Sequence, residues 1–350
     1  MYREHSDLVS SVGGVRDWAV AADDRTGAFE VAAELAEAVG EHVEVRVGSA
    51  TADGPCVVDL GSRALSARDA AARAAALDTR FGPAAWTAHK IDSTLRGHWA
   101  AEVLARQAAL RRPVVVLPAY PAMGRTCLGG VVHVDGAPVA SVTGGLPAAR
   151  RTRVDLLDSL DLDDVVWLDI ADDADLAAAA AALAPLDALV AGPAGALGAA
   201  FRARPHPLGG RGALTLRPWA DVLERIGDGP VLVVCGSVTE VAAAQLDELR
   251  SARPDVHVVA TPAHEGSLLD RAHADAIAAL VRPRLLGYSL VVIIGGDTAA
   301  AVLGDAPRHI GGYAAPGMPW SAQAGGDGPI VVTKAGGFGA PDALVRLLNP

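Results

Sequence analysis

A chain of 350 residues with half of them apolar and a formal charge of -11 is long enough for two domains with sizeable cores. Its acidity argues against nucleic acid or an anionic membrane as the main partner, because both want net positive charge. Three scattered cysteines, Cys56, Cys127 and Cys235, form no CxxC pair. They indicate neither a zinc site nor a disulfide framework, and they fit a reducing, cytoplasmic setting. The opening "MYREHSDLVSSVGG" carries no apolar core of signal-peptide length.

In chain order, apolar runs of strand length alternate with helical patterns. "DWAVAADD" reads as a first strand, and "GAFEVAAELAEAVG" as a helix with Phe29, Ala32, Leu35, Ala36 and Val39 on one face. "HVEVRVG", "CVVDLG", "AAWTAHKID", "PVVVLPAY", "VVWLDI" and "ALVAG" are further strands, with helices such as "SARDAAARAAALDTRF" and "HWAAEVLARQAALRR" between them. The alanine-rich "DLAAAAAALAPLDALVAGPAGALGAA" is broken by Pro185, Asp187 and Pro193. It reads as a buried helix and a strand rather than a membrane span. "RARPHPLGGRGAL" reads as a linker, after which "PVLVVCGS", "DVHVVATP", "SLVVIIGG" and "PIVVTKAGG" alternate with helices again. The expectation is α/β: two domains with largely parallel sheets, spanning 1–213 and 214–350, with an active-site cleft between them.

Ligands of parallel α/β sheets bind where strands end. Six polar or glycine-rich turns fall at such ends: "ADDRTGA", "KIDSTLRG", "PAYPAMGRTCLGG", "CGSVTE", "GGDTAA" and "KAGGFGAPDA". The last three suit phosphates, since small residues let backbone N–H groups approach an anion at a helix N-terminus. Ser237, Gly295, Gly296, Thr298, Gly336, Gly337 and Gly339 fit that role, although Thr298 and Thr239 serve equally well as helix caps. The first three suit a polyhydroxylated acid. Asp23, Asp24 and Asp92 can accept hydrogen bonds from hydroxyls, while Arg96 and Arg125, with Arg63 in "DLGSRALS", can clamp a carboxylate. "DST" at 92–94 also reads as a capping cluster for the next helix.

Lysine usage adds a clue. Of 30 basic side chains only Lys90 and Lys334 are lysine, and each lies in a candidate turn, one per half. A compact ammonium can neutralise phosphate where a planar guanidinium fork does not fit.

These stretches together resemble the four-carbon acid sugar kinase family. The resemblance rests on "ADDRTGA" at 22–28, "SR" at 62–63, "KIDSTLRG" at 90–97, "PAYPAMGRT" at 118–126, "GS" at 236–237, "GGDT" at 295–298 and "KAGGFG" at 334–339. It implies an N-terminal domain that binds the sugar acid through Asp24, Arg63 and the Lys90, Ile91, Asp92, Ser93 turn. It implies a C-terminal domain that binds ATP through Ser237, Gly295, Gly296, Asp297, Thr298 and Gly336. The implied reaction moves the γ-phosphoryl group of ATP, with Mg²⁺ on its phosphates, to the terminal hydroxyl of the acid. Asp24 is the first candidate base and Asp92 the second, with Lys90 or Arg96 balancing charge. The chain departs from the family's pattern in a short segment after Thr126, in Cys127 where threonine is usual, and in Asp297 where glutamate is common. Two other functions are compatible with such turns: an NAD(P)-dependent hydroxy-acid dehydrogenase, against which no GxGxxG opens the first βαβ unit, and a non-catalytic sugar-acid sensor. A homodimer is compatible with the sequence.

Overall fold

The computed structural model describes residues 16–48, 54–81, 84–205, 216–260, 271–326 and 328–349. The strands of the first half are β1 (Arg16–Ala22), β2 (Val43–Val47), β3 (Cys56–Asp59), β4 (Ala84–Lys90), β5 (Val114–Val116), β6 (Arg125–Leu128), β7 (Val131–Val134), β8 (Ala137–Ser141), β9 (Arg150–Arg151), β10 (Val165–Trp167) and β11 (Leu189–Gly192). The second half supplies β12 (Val231–Cys235), β13 (His257–Ala260), β14 (Leu290–Ile294), β15 (Arg308–Ala315), β16 (Met318–Gln323) and β17 (Ile330–Lys334). The helices are α1 (Arg25–Val39), α2 (Ala67–Phe81), α3 (Trp99–Leu110), α4 (Val142–Gly145), α5 (Asp173–Leu183), α6 (Ala194–Arg202), α7 (Trp219–Ile226), α8 (Glu240–Ala252), α9 (Arg271–Val281), α10 (Gly296–Leu303) and α11 (Ala343–Leu348).

The expected α/β class holds. A 14-stranded sheet runs in the order β13-β12-β14-β17-β16-β15-β2-β3-β1-β4-β11-β5-β10-β9. From β2 to β9 every pairing is parallel, and so are those among β13, β12, β14 and β17. The two parallel blocks are joined by an antiparallel hairpin, β15–β16, whose β15 pairs with β2 through Arg308↔Val45 and Ile310↔Val43. The sequence reading did not foresee that hairpin. Gly311 and Gly312 interrupt β15, and register shifts follow Ile310, so the alternation of a strand is broken there. The halves therefore share one hydrogen-bonded sheet. The expected boundary at 213/214 lies outside the described residues.

Packing explains the strand sequences. In the second half, Val233, Cys235, Leu290, Val292 and Ile294 enter one apolar cluster, while Leu232, Val234, Val291 and Ile293 enter another. Alternate residues thus face opposite sides, and both sides are covered, which is why these strands read as unbroken apolar runs. Two local expectations change. Helix α5 buries only Leu176, Ala179, Ala180 and Leu183, so it lies on the surface with one face inward. The segment after Gly124 forms a separate antiparallel sheet, β6-β7-β8, rather than a plain turn. Among the described residues no helix is long and apolar enough to cross a membrane.

Helix α1 is held between the halves. It packs on α6 of the first half and on β15 and α10 of the second. Residues 25–29 and 31–36 are all buried, so no single apolar stripe is needed. Asp24 caps its N-terminus, with Oδ1 accepting from Gly27 N at 2.9 Å. Gly40, in the left-handed region at φ 71°, closes its C-terminus.

Candidate active site

Strands β1, β3, β4, β5 and β11 of the first half and β12, β14 and β17 of the second all end around one cleft of about 530 Å³. Each of the six turns singled out in the sequence contributes lining residues. Asp24, Arg63, Lys90, Asp92, Ser93, Arg96 and Arg125 line it from the first half; Ser237, Gly296, Asp297, Gly336 and Gly337 do so from the second.

On the first-half side of the cleft, Arg63 organises three carboxylates. Its Nε donates to Asp23 Oδ2 at 2.8 Å and its Nη1 to Asp24 Oδ2 at 2.7 Å, while Nη2 lies 3.6 Å from Asp92 Oδ1. The expected carboxylate clamp is thus already engaged by the protein, although its side chain remains 30% exposed to the cleft. Asp23 is fully buried behind it and does not line the cleft. Burial and the neighbouring Asp24 charge push the Asp23 carboxyl up, against the pull of Arg63. Gly97 stands at φ 83°, and a Cβ there would lie 3.2 Å from Asp23 Oδ2. That double constraint accounts for the glycine in "DSTLRG".

Asp92 organises its own turn; it does not cap the next helix, as the capping alternative expected, because α3 begins only at Trp99 with no side-chain cap. Its Oδ2 accepts from Thr94 N at 3.0 Å, Thr94 Oγ1 at 2.6 Å and Arg96 Nε at 3.0 Å, and its Oδ1 accepts from Arg96 Nη2 at 2.7 Å. Burial works upward on this carboxyl, but the bonds from Arg96 and Thr94 outweigh it and hold the group well below the usual carboxylate range. A carboxylate held so low is a poor proton acceptor. Ile91 is core, not surface: it is wholly buried, and its N–H donates to Gly192 O at 3.0 Å.

Both lysines are the last residues of strands, and both are buried, Lys90 to 5% and Lys334 to 1% exposure. Lys90 reaches the cleft beside the first turn of α1, where a Cβ on Gly27 would meet its Nζ at 2.8 Å. Lys334 does not line the cleft. Its Nζ donates to Ala335 O at 2.8 Å and Gly336 O at 3.4 Å, fastening the glycine turn from behind. Burial lowers its ammonium to about 8.

On the second-half side of the cleft stands an uncapped helix. Gly295, at φ 113°, precedes α10 and supplies no side-chain cap. The N–H groups of the first turn of α10 are therefore left for a ligand, as phosphate cradles require. Thr298 is buried within that turn rather than capping it, whereas Thr239 does cap α8, as one alternative held. Thr239 Oγ1 also donates to Gly336 O at 2.9 Å, and a Cβ on Gly336 would strike Ser237 Oγ at 2.0 Å. Gly295, Thr298, Lys334 and Gly339 thus shape the turns without lining the main cleft. Asp297, in the first turn of α10, is exposed. Across the cleft, the Arg125 guanidinium stacks over the Phe338 ring at 4.4 Å, joining the two halves.

Sequence reasoning missed several lining residues: Thr26, Glu30, Tyr120, Met123, Tyr313 and Phe338. Glu30 is half-buried, and burial pushes its carboxyl up to about 7 against the pull of Lys90. Tyr120 donates to Glu34 Oε1 at 3.0 Å, and the Tyr313 hydroxyl shares its one proton between that oxygen, at 3.3 Å, and the Glu30 carbonyl, at 3.0 Å.

Comparison with known proteins agrees with this geometry. Residues 18–145 match the family model of a sugar-binding N-terminal domain, and residues 255–344 that of a nucleotide-binding C-terminal domain. A protein of Bordetella bronchiseptica named D-threonate kinase is 32% identical over 403 aligned positions, covering 93% of this chain and 95% of its own. That alignment is longer than the chain itself, so the relative carries residues that are absent here. A D-threonate kinase of Cupriavidus necator is 38% identical over 129 residues, a stretch that spans 35% of this chain and 31% of the relative. The crystal structure of a Salmonella typhimurium LT2 protein, provisionally assigned there as a tRNA synthase, superposes with a TM-score of 0.69 at 19% identity. It covers 95% of this chain and 98% of that one, and at such identity the likeness shows the fold alone. With a full-length relative and both domain models in agreement, the chain belongs to the four-carbon acid sugar kinase family.

Proposed function

We propose that the protein is an ATP-dependent kinase that phosphorylates the terminal hydroxyl of a four-carbon acid sugar, with D-threonate as the first candidate. The names of its relatives support the substrate class. The observation that carries the reading is the meeting of Asp24 with the α10 turn. A Cβ on Gly296 would lie 3.1 Å from Asp24 Oδ2 and 3.2 Å from Thr26 Oγ1. A phosphate held at that helix N-terminus would end where the acid side presents its carboxylate.

In this proposal the first half, taken as 1–213, holds the acid, and the second, 214–350, holds ATP. Arg96, Arg125 and Ser93 face the acid's carboxylate, with the exposed edge of Arg63 beside them. Arg63 also fixes the orientation of Asp24. Asp24 accepts the proton of the attacking hydroxyl, a role that Asp92 fills poorly because Arg96 and Thr94 hold its carboxyl well below the usual carboxylate range. Lys90, with no carboxylate at ion-pair distance among the described residues, is available to balance the transferring group. Ser237, the first turn of α10, Gly336 and Gly337 cradle the triphosphate. Mg²⁺ arriving with the triphosphate would neutralise phosphate charge, and the exposed carboxylate of Asp297 in the first turn of α10 would be the side chain to help hold it.

The test is ADP release with Mg·ATP against D- and L-threonate, D- and L-erythronate and their 3-oxo forms. Acid-dependent release with one preferred acid is expected. Tight ATP binding with no release for any acid would overturn the substrate class. Absence of ATP binding would overturn the reading of the second half.

A further inference from the structure

Three glutamates follow one another along the side of α1 that faces the second half and α6: Glu30, Glu34 and Glu37. Two of them have protein partners. Glu34 accepts from Tyr120, Tyr313 and Arg202, the last at 2.8 Å, and Glu37 accepts from Tyr313 N at 3.1 Å. Glu30 differs. Its backbone carbonyl accepts from the Tyr313 hydroxyl at 3.0 Å, but its carboxyl takes no hydrogen bond from any described residue. It nevertheless projects into the cleft, half-buried, six residues along α1 from the proposed base Asp24. Facing the cleft with no protein donor on it, that carboxyl is placed to accept hydrogen bonds from a ligand.

The ligand chemistry follows from charge. A second carboxylate beside Glu30 would be repelled, so the acid's own carboxylate belongs at the Arg96 and Arg125 side. Donors without charge, that is hydroxyl groups, are what Glu30 can take. We infer that Glu30 is a specificity-determining residue that binds a non-reacting hydroxyl, on C2 or C3 of the acid, and so fixes which end of the substrate faces Asp24. This rests on the reading of the cleft as a sugar-acid site. A site built to bond a hydroxyl rejects the analogue that lacks it, because its buried polar group is then left unpaired.

The experiment compares D-threonate with its 2-deoxy and 3-deoxy analogues, both of which keep the terminal hydroxyl, in the wild type, Glu30→Gln and Glu30→Ala. The expected wild-type preference for D-threonate over one analogue is on the order of 100-fold or more in kcat/KM. Glu30→Ala should abolish that preference and raise KM at least ~10-fold, with kcat for D-threonate changed far less. Glu30→Gln, which keeps one acceptor, should lie between them. ATP affinity should be unchanged in both variants, which separates a lost substrate contact from a damaged fold. Retention of wild-type KM and preference in both variants would overturn the assignment. Acid binding is also followed by calorimetry with a non-hydrolysable ATP analogue present. If the acids bind the wild type but are not phosphorylated, the kinase reading fails, and the loss of binding in Glu30→Ala still decides the role of Glu30. If no acid binds the wild type, both fall.

Discussion

Gly296 stands against Asp24 so closely that a single methyl group would come within 3.1 Å of the carboxylate. The two residues belong to different halves, and each opens a helix. Gly296→Ala therefore tests the junction with the smallest change available. Alanine suits a helix better than glycine does, so the fold should survive. The new methyl makes the Asp24 and Thr26 side chains give by a few tenths of an ångström. Phosphoryl transfer depends on alignment, and small misplacements are expensive. The expected outcome is a kcat reduced ~10–100-fold with the melting temperature little changed. A variant with wild-type kcat would show that the two turns do not meet during turnover.

Asp24 carries two duties, and Asp24→Asn separates them. Asparagine is as good an N-cap as aspartate, so the bond from Gly27 N can be kept. The proton acceptor and the charge facing Arg63 are lost. The variant should fold and bind ATP but lose turnover by about 10²–10⁴-fold. Asp92→Asn should act differently. Loss of the carboxylate loosens the 92–96 turn and should show mainly in KM for the acid. If Asp92→Asn instead removed turnover while Asp24→Asn kept it, the base assignment would reverse.

Lys334 explains why an arginine-rich chain keeps lysine at this strand end. The site is closed, and the ammonium bonds two carbonyls of its own turn. A guanidinium is too wide for it, and overpacking typically costs about 1–3 kcal/mol. Lys334→Arg and Lys334→Met should both weaken nucleotide binding and spare acid binding. The depressed ammonium also sets a pH effect. Below about 8 the free protein holds Lys334 charged; above it the proton is lost. A bound triphosphate favours the charged form, so binding at higher pH must recruit a proton, and affinity falls as pH rises through that value. Calorimetry at pH 8.5–9 in buffers of different ionisation enthalpy should record proton uptake by the wild type and none by Lys334→Met. Equal uptake by both would place the titrating group elsewhere.

Much of the site was legible because strand ends advertise themselves. An apolar run that stops at "DDRT", "KIDST" or "GGDT" gives the position, and all six such turns reach the cleft. The parts that stayed hidden had no local signal. Tyr313 lies on a hairpin whose pattern Gly311 and Gly312 break, yet that hairpin joins the two blocks of the sheet. Glu30 looks like one more helix glutamate among alanines. Its importance comes from α1 being enclosed on several sides, and no periodicity reveals that. The turn positions of Arg63 and Lys334 were readable from sequence, but their partners were not: one is spent on three aspartates and the other on backbone carbonyls.

Glu30 should leave a mark on stability as well as on substrate choice. Burial raises its carboxyl from 4.5 to about 7. Between those values the folded protein keeps a proton that the unfolded chain has released, so this group makes stability fall as pH rises across the window. Above about 7 the carboxyl is charged in both states, and the folded state bears the full cost of shielding it. Glu30→Gln removes that cost. The free variant should melt higher than the wild type at pH 8, by an amount on the order of 1 kcal/mol once solvent screening is allowed for, and roughly 1–2 °C in a chain of this length. At pH 4.5 the difference should vanish, because the native glutamic acid is then neutral too. D-threonate should narrow the gap at pH 8, since its hydroxyl supplies the partner that the wild-type carboxylate lacks. A variant that is less stable than the wild type at both pH values would mean that Glu30 holds the fold rather than the substrate.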